Sequence, residues 1–186
     1  MDRRPIPLSE LQVRPHHLWD SQWLLLAAGS LAEGDFNAMA VGWGSIGTMW
    51  SRPFAQVVVR PTRFTHDFMN RHPTFTLSAF PEKHRKDVWT LGTRSGRDGE
   101  KIKETGLTPV PSVRVAAPSF AEAELVIECV KIYWQDMDPG RFLASEIEEK
   151  YPQKDYHRIY YGEIVAAFGA ARFRTAEPPD PPSGTE

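Results

Sequence analysis

The feature that most limits what this chain can fold into is the pattern at residues 37–45, NAMAVGWGS. There Ala38, Ala40, Gly42 and Gly44 alternate with Met39, Val41 and Trp43. Successive side chains of a strand point to opposite faces, so the pattern predicts a strand with bulk on one face and almost none on the other. A face that bare marks close approach by a ligand or another backbone, or else a bulge or a barrel corner. The pattern lies within residues 36–65, which continue through a loop at 46–53 into a Val-rich strand at 54–60. They end in Arg60-Pro61-Thr62-Arg63-Phe64-Thr65, where a strand hands over to a helix.

The remaining chain reads as further strands with short helices between them. Residues 23–29 are a buried apolar strand that ends at a turn marked by Gly29, Gly34 and Asp35. Residues 62–72 form a short helix with Phe64 and Phe68 four apart on one face, stopped by Pro73. A strand at 74–80 follows, then a helix over 81–91 with Gly92 as its C-terminal cap. Residues 93–106 begin as a loop and become a short helix capped by Gly106. The longest strand is expected at 121–134, apolar on both faces and so covered on both. A polar helix fills 141–150, and a last strand runs over 158–168. Most strands lack an intervening helix of ten or more residues, which disfavours a parallel α/β sheet. The expected fold is mainly β, a closed β-barrel with short peripheral helices. It comprises an N-terminal arm at 1–20, one domain at 21–170, and a Pro-rich tail at 171–186 whose composition predicts disorder.

Composition excludes several functions. A net charge of −2 leaves no basic excess to neutralise many phosphates, so no nucleic-acid partner is expected. The apolar run at 23–28 is too short to span a bilayer, and the N-terminus lacks the apolar stretch of a signal peptide. No membrane partner is therefore expected. The single cysteine, Cys129, excludes an internal disulfide and a Cys-rich zinc site, and is compatible with a cytoplasmic location. Mid-strand among Val and Ile, it reads as a buried inert thiol.

Two stretches suit an anion. At residues 60–65 a helix N-terminus offers free N–H groups, Arg63 reinforces it, and Thr62 or Thr65 can donate a hydroxyl. The plainer alternative makes the arginines surface residues and Thr62 an N-cap. Ser95-Gly96-Arg97-Asp98 with Lys101 is a second cradle, or else a solvated loop with ordinary capping. Residues 60–101 hold nine Arg or Lys against five Asp or Glu in a chain that is acidic elsewhere, as one phosphate-bearing ligand requires. Trp43 and Trp50 flank the glycine-rich turn, and either can stack on a planar ring or lie in the core. His16-His17 has no metal-ligand partner at suitable spacing. Hydrolase, Walker and Gly-x-Gly-x-x-Gly motifs are absent from the sequence, so no catalytic side chain and no metal ligand is expected.

In order along the chain, residues 37–44, 60–65, 95–101 and the ending His157-Arg158-Ile159-Tyr160-Tyr161-Gly162-Glu163-Ile164 resemble the flavin reductase-like, FMN-binding split-barrel family, flavoredoxin-like relatives included. The resemblance spans about residues 22–168. It implies a six-stranded antiparallel split β-barrel with Greek-key connections, and a homodimer with FMN at the subunit interface. It implies that Trp43, Gly44, Ser45, Ile46, Gly47 and Thr48 meet the flavin ring, with Asn37, Met39 and Thr62 also among the cofactor-binding residues. Arg60, Arg63 and Thr65, with Ser95 and Lys101, are implied to lie towards the ribityl phosphate. The implied activity is flavin reduction, with hydride passing from NADH or NADPH to FMN and on to free flavin, a redox protein partner or a small acceptor. Electron carriage without nicotinamide activity is the alternative. One departure is Ala40, where relatives commonly carry Thr or Ser.

Overall fold

The computed structural model describes residues 2–175, so residues 176–186 of the expected Pro-rich tail lie outside the described residues. Among the described residues the strands are β1 (Arg4–Pro5), β2 (Leu24–Ser30), β3 (Asp35–Val41), β4 (Gly44–Met49), β5 (Arg52–Val59), β6 (Thr74–Ala79), β7 (Pro109–Val110), β8 (Ser119–Phe120), β9 (Leu125–Asp136) and β10 (Arg158–Gly169). Two α-helices accompany them, α1 (Phe64–Arg71) and α2 (Arg85–Thr93). One antiparallel sheet runs β3-β2-β6-β9-β10-β5-β4, with β1 added to β10, and β7 pairs with β8 apart from it. The mainly β, antiparallel expectation holds. The strand count does not: the main sheet has eight strands, not six, and its end strands β3 and β4 are not paired, so it is not closed.

β2 reads LLLAAGS and is buried throughout because both its faces are covered. Leu24, Leu26 and Ala28 join the interior cluster with Val57, Phe75 and Ile127. Leu25 and Ala27 point outward against Val88 and Leu91 of α2. Each such leucine contributes about 2 kcal/mol by leaving water. β9 is covered on both faces only in its first half; from Tyr133 onward it is exposed.

Local readings differ from the structure where turn chemistry is concealed. Residues 37–45 are not one strand: β3 ends at Val41, β4 begins at Gly44, and residues 46–49, expected in a loop, belong to β4. The β4–β5 turn is Trp50-Ser51, with φ of 53° and 57°. That is the left-handed backbone of a two-residue hairpin, which ordinarily announces itself as Asn-Gly. Here the Trp50 ring packs edge-on against Tyr133 and Tyr161, with centroids 5.8 and 6.3 Å away, which offsets part of the conformational cost. α2 continues past Gly92 to Thr93, so Gly92 does not cap it. Nor does Thr62 cap α1, whose N-cap is Arg63 with no side-chain cap bond. The expected helices at 93–106 and 141–150 are short 3-10 turns only.

Candidate functional site

Two adjoining hollows open along the second half of β3. The smaller, about 80 Å³, is where both anion cradles meet: Thr62, Arg63 and Thr65 from the start of α1, with Ser95, Gly96 and Lys101 from the loop after α2. The larger, about 370 Å³, passes Met39 to Trp43 and reaches Arg60 and His157. Met39, Thr62 and Arg63 line both, so the two are ends of one groove.

At the smaller end Lys101 is only 4% exposed. Its Nζ donates to the carbonyls of Leu91 at 2.8 Å and Arg94 at 3.0 Å. An ammonium carries three donors, so one remains for the hollow that the side chain lines. Burial, and then the charge of Arg63, push its pKa down to about 8. Arg63 itself is steadied by donating to the Gly92 carbonyl. Thr65 Oγ1 accepts from Asn37 Nδ2 at 2.8 Å and keeps its own proton to donate. Ser95 Oγ accepts from the Arg97 amide at 3.1 Å and does likewise. A Cβ on Gly96 would lie 2.6 Å from Asn37 Oδ1, so only glycine lets this loop close onto β3. No carboxylate lines the hollow among the described residues.

At the larger end Trp43 is half exposed, and its ring centroid lies 5.1 Å from that of His157. His157 is nearly buried, with Nδ1 2.9 Å from the Tyr151 hydroxyl. Burial and then the guanidinium of Arg60 push its pKa down to about 4, so the ring is neutral at pH 7.

Other expected residues are placed elsewhere. Arg60 sits at the larger end and is committed to Asp155, with Nη1 2.8 and 3.0 Å from the two carboxylate oxygens, and to the Lys150 carbonyl at 2.7 Å. Its charge is therefore compensated within the chain. Thr62 turns its hydroxyl to Asp155 at 3.4 Å. Arg97, part of the second cradle in sequence, points back to the Thr62 carbonyl at 3.1 Å and Asp67 at 3.0 Å. Gly44, Ser45, Ile46, Gly47 and Thr48 lie on β4 and line neither hollow. Gly44 is small because Trp19 covers it, 2.5 Å from where a Cβ would be, and Ser45 donates to Gln56 Oε1 at 2.9 Å. Part of the bare face is thus occupied by protein.

His157, Arg94 and Thr93 line the groove without having been singled out. Nothing local connects His157 to Trp43; the β5–β10 pairing, with Arg158 opposite Val59, carries it there. Its depressed pKa follows from that tertiary burial. Cys129 is fully buried and its thiol is pushed up by burial, as an inert core residue should be. No helix among the described residues is long and apolar enough to cross a membrane.

Residues 23–176 match the family model of the flavin reductase-like domain. An uncharacterized protein of Pyrococcus abyssi is 32% identical over 133 residues, covering 70% of this chain and 64% of that protein, so the chain matches less than two thirds of that relative's length. Among solved structures, the FMN-binding domain of a flavin reductases-like enzyme from Shewanella baltica superposes with a TM-score of 0.65 at 18% identity, over 90% of this chain and 77% of that one. Flavoredoxin of Desulfovibrio vulgaris gives 0.63 at 21% identity, over 86% and 73%. Both share the antiparallel fold described above, and a flavin reductase from Shewanella frigidimarina with a split barrel domain superposes with a TM-score of 0.63 at 17% identity, over 81% of this chain and 67% of that one.

Proposed function

Because this chain belongs to the flavin reductase-like domain family, we propose that it binds FMN along the β3 groove and acts as an NAD(P)H-dependent flavin reductase. The observation that carries the reading is the buried Lys101 ammonium, two of whose donors are held by carbonyls and whose third serves a hollow without carboxylates. That is a site built for an anion. The donor set fits a terminal phosphate: Lys101 and Arg63 supply charge, while Thr65 and Ser95 supply hydroxyl protons. The larger hollow, lined by Met39 to Trp43 and His157, fits a planar ring. When bound, FMN supplies the two-electron chemistry between nicotinamide and acceptor. The chain's residues bind the phosphate, orient the ring and hold a neutral His157 beside it.

A homodimer is part of the proposal. Trp50 and Tyr133 are exposed and in mutual contact, a patch that a second copy would cover. The β4 residues, which line neither hollow of their own chain, would then meet the partner's groove. Light scattering checks it; a monomer at micromolar concentration sinks it. We place the protein in the cytoplasm, with free flavin or a redox protein as acceptor.

Rapid mixing of FMN-loaded protein with NADH, and separately NADPH, tests the activity. Bleaching of the flavin band with either is the expected result. No bleaching with both, in protein that retains FMN, favours the electron-carrier reading, which the likeness to a flavoredoxin fold supports. Failure to take up FMN at all defeats both.

A further inference from the structure

The segment between β9 and β10 has no α-helix or strand, yet it is fastened firmly to the groove. Arg60 grips Asp155 and the Lys150 carbonyl, and its guanidinium lies 4.9 Å above the centre of the Tyr151 ring. Phe142 stacks on that ring at 5.9 Å and 14°. These contacts bury Tyr151 and bring its hydroxyl to His157 Nδ1. The other ring nitrogen, Nε2, has no hydrogen-bond partner among the described residues, and it is not one of the buried orphaned atoms. It is therefore accessible, on a residue that lines the groove beside Trp43.

We propose that Tyr151 is a positioning residue for this groove: its hydroxyl donates to His157 Nδ1 and fixes the tautomer that presents Nε2–H to a ligand lying against Trp43. The hydroxyl proton has a second acceptor in reach, Met137 Sδ at 3.4 Å. A thioether is a weak acceptor and an imidazole nitrogen a good one, so the proton goes to His157. A neutral imidazole has one N–H; with Nδ1 accepting, that N–H is on Nε2. The ligand edge this suits carries an acceptor, a carbonyl oxygen or an unprotonated ring nitrogen. Only this last step rests on the flavin reading.

Nitrogen NMR of the histidine side chains in ligand-free protein reads the tautomer directly. The wild type is expected to show a protonated Nε2 and a bare Nδ1; the reverse pattern overturns the proposal. Tyr151→Phe is expected to give a mixture of tautomers and about fivefold weaker FMN binding; an unchanged tautomer or an unchanged affinity overturns it. Met137→Leu removes the competing acceptor and is expected to keep the wild-type pattern, and a switch to the other tautomer counts against the proposal. His157→Gln carries an N–H donor that needs no help from Tyr151. In that background Tyr151→Phe is expected to cost no further affinity, and a full fivefold loss would mean that Tyr151 acts by packing alone. Wild-type protein that binds no FMN defeats the flavin reading, while the tautomer still decides the role of Tyr151.

Discussion

Gly92 on α2 and Ala40 on β3 meet so closely that a Cβ on Gly92 would lie 2.8 Å from that of Ala40. This contact sets how near α2 approaches the groove, and α2 in turn supplies the Leu91 and Gly92 carbonyls that hold Lys101 and Arg63. It also gives Ala40 a physical role, since a bulkier side chain there would press on the helix. Gly92→Val is expected to cost about 2 kcal/mol through overpacking, and to weaken FMN binding as the carbonyls move. Urea unfolding and FMN titration check the two together; wild-type values for both would refute the role given to this contact.

Lys101 is expected to make anion binding depend on pH. The free site titrates at about 8, and a bound phosphate favours the charged lysine, raising its pKa in the complex. Affinity for FMN is therefore expected to fall as pH rises above about 8. Lys101→Met should lose on the order of tenfold to a hundredfold in affinity and abolish that slope. Titrations from pH 6 to 10 settle it, and a slope that survives the substitution means another group is responsible.

His157 contributes to acid instability. Its folded pKa, about 4, lies below the ordinary imidazole value of 6.5, so the unfolded chain binds the proton more readily between those values. Stability is expected to be unaffected by this group above pH 6.5. It should decline as pH falls and lose about 3 kcal/mol by pH 4. Comparing unfolding free energies of wild type and His157→Gln from pH 4 to 8 isolates the effect: the variant should show the shallower slope.

The Trp50-Ser51 turn stores backbone strain at Ser51, a non-glycine residue at φ 57°. Ser51→Gly is expected to raise stability by about 1 kcal/mol, visible as a higher Tm. A lower Tm would show that the serine has a compensating contact.

Periodicity and punctuation in the sequence dictate much of this molecule. The fully apolar β2, the Val-rich β5, Pro73 after α1 and the doubly apolar start of β9 each follow from local chemistry, because burial and chain breaking act residue by residue. Lys101, Arg63, Thr65 and Ser95 were legible as anion-friendly groups for the same reason: charge and free donors are local properties. Which of them share a hollow was not local. Arg60 and Arg97 have the same chemistry as Arg63, yet Asp155 and Asp67 claim them across long stretches of chain. Gly44 looked open to a ligand until Trp19 filled the space. His157 became a groove residue only through the pairing of β10 with β5. Residue types and spacing determined which groups could serve an anion and a ring. Tertiary packing decided which were left free to do so, because a charge or a bare backbone face is available to a ligand only when no other part of the chain reaches it first.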